Sequence, residues 1–174
     1  MNVTARLSCL LLPLFLLAGC ETLTPPPPPN CPNVVIDRAT AWITRFGEGK
    51  GRDITDITLE GEMLGFTGYC ERTDTGLLSN LMTNFTLSLG PRAPSRKAKV
   101  EYFVALVKNG EVITKEVMGV DVEFPENVSK VRYRDEAFDL TIPLAAGESG
   151  PDYNIYIGFQ LSKNELDYNR KRNR

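Results

Sequence analysis

The chain has 174 residues, four cysteines and no histidine, and its 20 basic side chains nearly balance 22 acidic ones. The absence of histidine excludes the commonest acid–base catalyst, the commonest metal ligand and any Ser-His-Asp triad. A net charge of −2 gives no general reason to expect a nucleic-acid partner.

The first residues have the pattern of an export signal. Arg6 precedes an apolar run over residues 7–18, interrupted only by one serine and one proline. The run is too short to span a bilayer, which takes about 20 apolar residues. A basic start, an apolar core and small residues before a cleavage site are typical of a secretory signal peptide, which we predict at residues 1–19.

The signal ends in Leu17-Ala18-Gly19-Cys20, which resembles the lipobox of bacterial lipoproteins. That resemblance implies a diacylglyceryl group on the Cys20 thiol, cleavage before Cys20 and acylation of the new amino group. Several acyl chains are needed, because one chain alone binds membranes only marginally. We therefore expect a bilayer anchor in the cell envelope, with the domain facing the periplasm. In well-studied lipoproteins an aspartate after the cysteine retains the protein in the inner membrane, so Glu21 favours the outer membrane.

Residues 20–30 read as a tether between the lipid and the domain. Five consecutive prolines at 25–29 favour a polyproline II rod of roughly 15 Å, at about 3.1 Å per residue. We interpret the segment as a spacer; a docking ligand for a proline-binding domain and a slack linker are the alternatives.

Residues 31–168 show the short strands separated by turns that are typical of an all-β domain. Residues 81–89 and 153–161 alternate apolar and polar side chains with a period of two, as strands with one buried face do. Asn109-Gly110 predicts a two-residue hairpin. The further strands are predicted at residues 34–37, 56–66, 99–107, 112–118, 120–124, 130–134 and 138–142. Gly119 suggests a bulge or bend, and residues 39–46 suggest one or two helical turns.

The strand spacing predicts an antiparallel β-sandwich of about seven strands, which resembles the immunoglobulin or fibronectin type III architecture. The Cys–Trp–Cys spacing of true immunoglobulin domains is absent, so the likeness is one of architecture. Cys9 leaves with the signal and Cys20 is lipidated, so Cys31 and Cys70 remain in an oxidising compartment. We predict a disulfide between them; two buried free thiols are the alternative.

For every candidate catalytic or cofactor motif, a structural role is the better explanation. Glu60 and Glu62 share one strand face and offer the two carboxylates that a glycosidase uses, but neighbours two apart rarely face each other across a cleft. Asp121 and Glu123 show the same pattern. We expect no cofactor, no metal and no enzyme activity.

Two loops have weaker candidate chemistry. The scattered acids Asp53, Asp56, Glu71 and Asp74 lack the spacing of a calcium loop. Residues 47–52 are rich in glycine but fit neither a dinucleotide nor a Walker motif, so a surface loop is expected.

The last six residues, 169–174, form a predicted basic tail. Arg170, Lys171, Arg172 and Arg174 are candidate contacts for anionic lipid, lipopolysaccharide or peptidoglycan acids. A frayed, solvated tail is the alternative.

The sequence favours a lipid-anchored, non-enzymatic module that binds or braces another envelope protein through loops or a sheet edge. The alternatives are an accessory subunit of a secretion, pilus or transport complex, and a carboxylate-dependent envelope hydrolase.

Replacing Cys20 by alanine should abolish lipid attachment, because the thiol that accepts the lipid is gone. Mass spectrometry should find only unprocessed or unlipidated chain, whereas Cys9→Ala should be acylated like the wild type. Recovery of the same acylated species from Cys20→Ala would contradict the anchor.

Overall fold

The computed structural model describes residues 29–49 and 51–172. The predicted signal peptide, Cys20, most of the tether and Arg174 lie outside these residues. Within them, the one α-helix is neither long nor apolar enough to cross a membrane.

The described chain is an all-β sandwich, as predicted, but it has nine strands and not about seven. Their bounds are β1 Asn33–Ile36, β2 Trp42–Phe46, β3 Ile57–Thr73, β4 Gly76–Leu89, β5 Lys97–Lys108, β6 Glu111–Glu123, β7 Lys130–Arg134, β8 Phe138–Pro143 and β9 Tyr153–Phe159. β2 was missed because it follows no period-two pattern, and the segments predicted at 112–118 and 120–124 form the single strand β6.

The strands form two packed sheets. One has the order β1-β9-β5-β6, and β1 pairs with β9 in parallel, so this sheet is mixed and not wholly antiparallel. The other has the order β2-β3-β4, with β8 and β7 pairing end to end along the far side of β4. Every pairing in this second sheet is antiparallel.

The core lies between the inner faces of the two sheets, because alternate residues of each strand point inward. Phe85 is at its centre, with ring centroids 5.2 Å from Tyr133, 5.6 Å from Phe159 and 6.1 Å from Tyr102. Each fully buried side chain of this size contributes about 1.5–3 kcal/mol through removal of apolar surface from water.

The predicted hairpin is confirmed. Lys108 pairs with Glu111, and Asn109 and Gly110 have φ values of 51° and 81°. Both central residues therefore adopt the left-handed conformation that Asn-Gly tolerates and that matches the twist of the flanking strands.

Two local predictions were wrong. Residues 39–46 form no helical turn but lead into β2, whose Ile43 is fully buried in the core. β6 runs unbroken past Gly119, and the irregularity in the hairpin lies instead between Leu106 and Val107. A Cβ at Gly119 would lie 3.8 Å from the Lys99 side chain, which is an ordinary contact, so no close approach requires a glycine in this strand.

The predicted basic tail is largely helical. Lys163–Arg172 form α1, so the boundary predicted at residue 168 falls inside a helix. A capping box starts the helix: the Glu165 backbone N–H donates to Ser162 Oγ, and the Ser162 N–H donates to the Glu165 carboxylate at 2.7 Å. The Asn169 side-chain amide donates to the carbonyls of Ala39 and Trp42, which fixes α1 against β2.

Cys31 and Cys70 lie at disulfide-bonding distance, with their Cα atoms 5.9 Å apart. Cys70 is in β3 and Cys31 precedes β1, so the bridge joins one sheet to the segment that enters the other. It closes a loop with a sequence separation of 39 residues. Chain entropy assigns such a loop a stabilisation of about 4 kcal/mol, a large share of the ~5–15 kcal/mol of a typical domain.

Cys31→Ser and Cys70→Ser should lower the melting temperature equally, by roughly 10 °C, because either change removes the same cross-link. The double variant should be no less stable than either single variant. Intact mass of the non-reduced protein should be two hydrogens below that of the reduced chain. Two alkylatable thiols in protein matured in the periplasm would refute the bridge.

Candidate functional site

Glu60 and Glu62 lie side by side on an open sheet face. Both are exposed, and they pair with Ser88 and Thr86 of β4. They border a shallow depression of about 150 Å³, whose rim also includes Lys130. A flat face with two neighbouring carboxylates does not place an acid and a base on opposite sides of a substrate bond.

The acids considered for calcium are divided between the two ends of β3. At one end, Asp53 accepts a hydrogen bond from the Thr55 hydroxyl, which lowers the pKa of Asp53, and Asp56 pairs with Arg92 at 2.8 Å. Glu71 and Asp74 lie near the other end. Among residues 29–49 and 51–172, no three carboxylate, cysteine or histidine side chains cluster as metal ligands.

The other sequence candidates have structural contacts. In the glycine-rich loop, Arg52 donates to the Gly49 carbonyl at 3.1 Å and lies over the Phe46 ring at 5.2 Å. Asp121 and Glu123 are exposed on β6, where Glu123 lies 3.7 Å from Lys97.

The described part of the basic tail is beside β2. Arg170, Lys171 and Arg172 form the last turn of α1, and the Arg172 guanidinium lies 5.7 Å from the centroid of the Trp42 ring. Trp42 pairs with Glu62, eight residues along β3 from Cys70, which is roughly 26 Å of strand. These cations are therefore well away from the end where the tether enters.

A charged cluster stabilises the end of the domain that contains Cys31 and Cys70. Glu148 accepts hydrogen bonds from Lys108, from the Tyr153 hydroxyl at 2.7 Å and from the Ala145 backbone N–H at 3.0 Å. The hydrogen bond from Lys108, followed by that from Tyr153, lowers the pKa of Glu148 to about 2. Lys108 and Glu148 stay charged near neutral pH, so the cluster fixes the loop between β8 and β9 to the end of β5.

Most strand edges carry a feature that discourages pairing with another chain. β7 presents three exposed cations in alternation, Lys130, Arg132 and Arg134. The edge of β2 is covered by α1 through Asn169. Edge charges and covering helices are the usual protections against strand addition.

β6 is also an edge strand, and only part of it has features that oppose pairing with another chain. Lys115 and Glu116 are exposed, and Glu116 pairs with Val104, whose buried side chain marks the inner face. An inward-pointing charge of this kind opposes pairing. Val112 and Val117 are nevertheless 58% and 48% exposed, so β6 is the rival surface for a partner.

One long edge lacks these protections. β1 is also an uncharged edge strand, and its Val35 is 41% exposed, but it has only four residues, and a very short edge offers little backbone for pairing. β3 pairs with β2 from Ile57 to Glu62, but residues 65–70 pair with β4 alone among the described strands. We call residues 65–70 the open edge. It contains no charge and no proline, and Tyr69 is 60% exposed.

The open edge borders an apolar cleft between the two sheets. The cleft has a volume of about 330 Å³, and its ten lining residues, which include Val34, Phe66 and Leu81, carry no charge. The Cys31–Cys70 pair also lines it, so the cleft lies beside the entry of the tether. Its size and lining fall at the lower end of the range for ligand sites.

The sequence contains one feature of this site that the strand predictions did not use, which is its lack of charge. Residues 63–70 form an uncharged run between Glu62 and Glu71. The run reads as an ordinary strand until the structure shows that β2 ends before it.

Comparison with protein-family models, curated proteins and solved structures gives no match for this chain. The geometry and chemistry of the described residues are therefore the basis for a functional proposal.

Proposed function

We propose that this protein is a lipid-anchored, non-enzymatic binding module of the bacterial cell envelope. Acylated Cys20 holds it at a membrane, with the outer membrane favoured, and the sandwich faces the periplasm. Its partner is another envelope component, bound at the open edge and the adjoining cleft. The observation that carries the binding site is an uncharged six-residue stretch of β3 without a second neighbouring strand, in a domain where α1 covers the β2 edge and cations line the β7 edge.

The position of the open edge along the chain supports a partner close to the membrane. Cys31 is 11 residues beyond Cys20 and is bridged to Cys70 at one end of the open edge. Eleven residues of fully extended chain span at most about 40 Å. The Cys70 end of the open edge thus lies close to that distance from the lipid at most, which suits an accessory subunit of a membrane-bound complex.

A hydrolase is not the preferred class. Its best candidates, Glu60 and Glu62, lie on an open face in a shallow depression, and the apolar cleft contains no titratable group among its lining residues except Tyr69.

A photo-crosslinking amino acid at Tyr69 in the full-length protein should give a discrete protein adduct in native cells. Ile54, which is 77% exposed at the opposite end of β3, is the control position and should give none. Val117 tests the rival edge. Mass spectrometry identifies whatever is attached.

An adduct from Val117 alone would move the binding surface to β6, and lipid alone attached at Tyr69 would replace the protein partner by the membrane. Either result, or no adduct from any position, would overturn the proposed site.

A further inference from the structure

We infer that the open edge takes an extended, uncharged peptide segment of its partner as an added strand in line with β2. This inference rests on the proposed function and specifies the partner's chemistry. The segment pairs with residues 65–70 and places an apolar side chain in the cleft.

The backbone of β3 provides the first argument. The strand has 17 residues, whereas β2 has five and leaves β3 after Met63, whose N–H donates to the Ala41 carbonyl. Beyond that point alternate residues of β3 direct an N–H and a C=O away from β4. Regularly spaced donors and acceptors along an edge are matched by another peptide backbone.

The side chains leave that backbone accessible. Gly65 has no side chain to cover it, and a Cβ there would meet open space, whereas a Cβ on Gly68 would instead clash with the Asn80 carbonyl of β4. The φ of 157° at Gly65 accompanies the register shift between Met63 and Gly65, which turns the following residues. The open edge therefore differs from β7, where long cationic side chains flank the backbone.

The cleft determines what the added strand carries. Phe66, Gly68 and Cys70 pair with Thr83, Leu81 and Ser79, which are all buried and face the interior. An added strand at this register thus directs alternate side chains toward the gap between the sheets. A charge placed there would lose water without gaining a counter-charge, so the inserted residues are apolar.

The backbone of the open edge favours a peptide over a lipid surface. Its outward N–H and C=O groups need hydrogen-bond partners that recur along a strand, and acyl chains have none. The nearby charges are balanced, because exposed Glu71 and Asp74 flank exposed Arg72 and because Glu148 is paired with Lys108.

Selection from a phage library of random twelve-residue peptides tests the inference on the acylated full-length protein. Enriched peptides should contain at least five consecutive uncharged residues with apolar side chains in alternation. Fluorescence anisotropy on synthetic copies should show that N-methylation of alternate amides along one edge weakens binding at least tenfold.

Two variants that each introduce one carboxylate, one in the cleft and one on another edge, test where the peptide binds. Phe66→Glu should weaken peptide binding at least tenfold, because the carboxylate enters the lining of the cleft. Val117→Glu, on the β6 edge, should leave the Kd unchanged, and melting temperatures establish that both variants fold.

Absence of enrichment, enrichment of charged sequences, or peptides that bind Phe66→Glu as tightly as the wild type would overturn the inference. A protein adduct at Tyr69 in cells together with any of these results would leave the proposed function standing, with a folded surface as the partner. Failure of the adduct itself would instead remove the proposed function.

Discussion

Strand β3 has 17 residues, whereas β2, its neighbour on one side, has only five. This difference in length determines the geometry of the proposed binding surface. Where β2 ends, β3 keeps β4 as its only partner among the described strands, and a gap opens between the two sheets. A longer β2 would pair residues 65–70 and fill the cleft, leaving an ordinary closed sandwich.

The domain holds this open region without help from further strands. β4 pairs with β3 along the whole open edge. The inner faces of β3 and β4 pack on the core around Phe85. The Cys31–Cys70 bridge then fixes the segment before β1 against the end of β3. β1 has only four paired residues, so the covalent link adds a second attachment between the segment before β1 and the end of β3.

Local patterns predicted much of the fold. Period-two alternation located most strands, Asn109-Gly110 located the hairpin, and the elimination of Cys9 and Cys20 selected the Cys31–Cys70 pair. α1 was missed because its residues are mostly polar, although Ser162 and Glu165 have the spacing of a capping box. The open edge was not predictable in this way, because it depends on which strand lies beside β3 and where that strand ends. Such information is non-local, and the uncharged run at residues 63–70 is equally compatible with a strand that is paired on both sides.

Hydrogen exchange on the purified acylated protein tests the open edge most directly, by comparing two parts of β3. Peptic fragments covering residues 65–70 should exchange much faster than fragments covering residues 57–62, because the latter pair on both sides. In native membranes, where we expect the proposed partner, the amides of residues 65–70 should become protected while those of 57–62 stay unchanged. Equally slow exchange of both fragments in the purified protein would contradict the account, since it would mean that the edge is already paired.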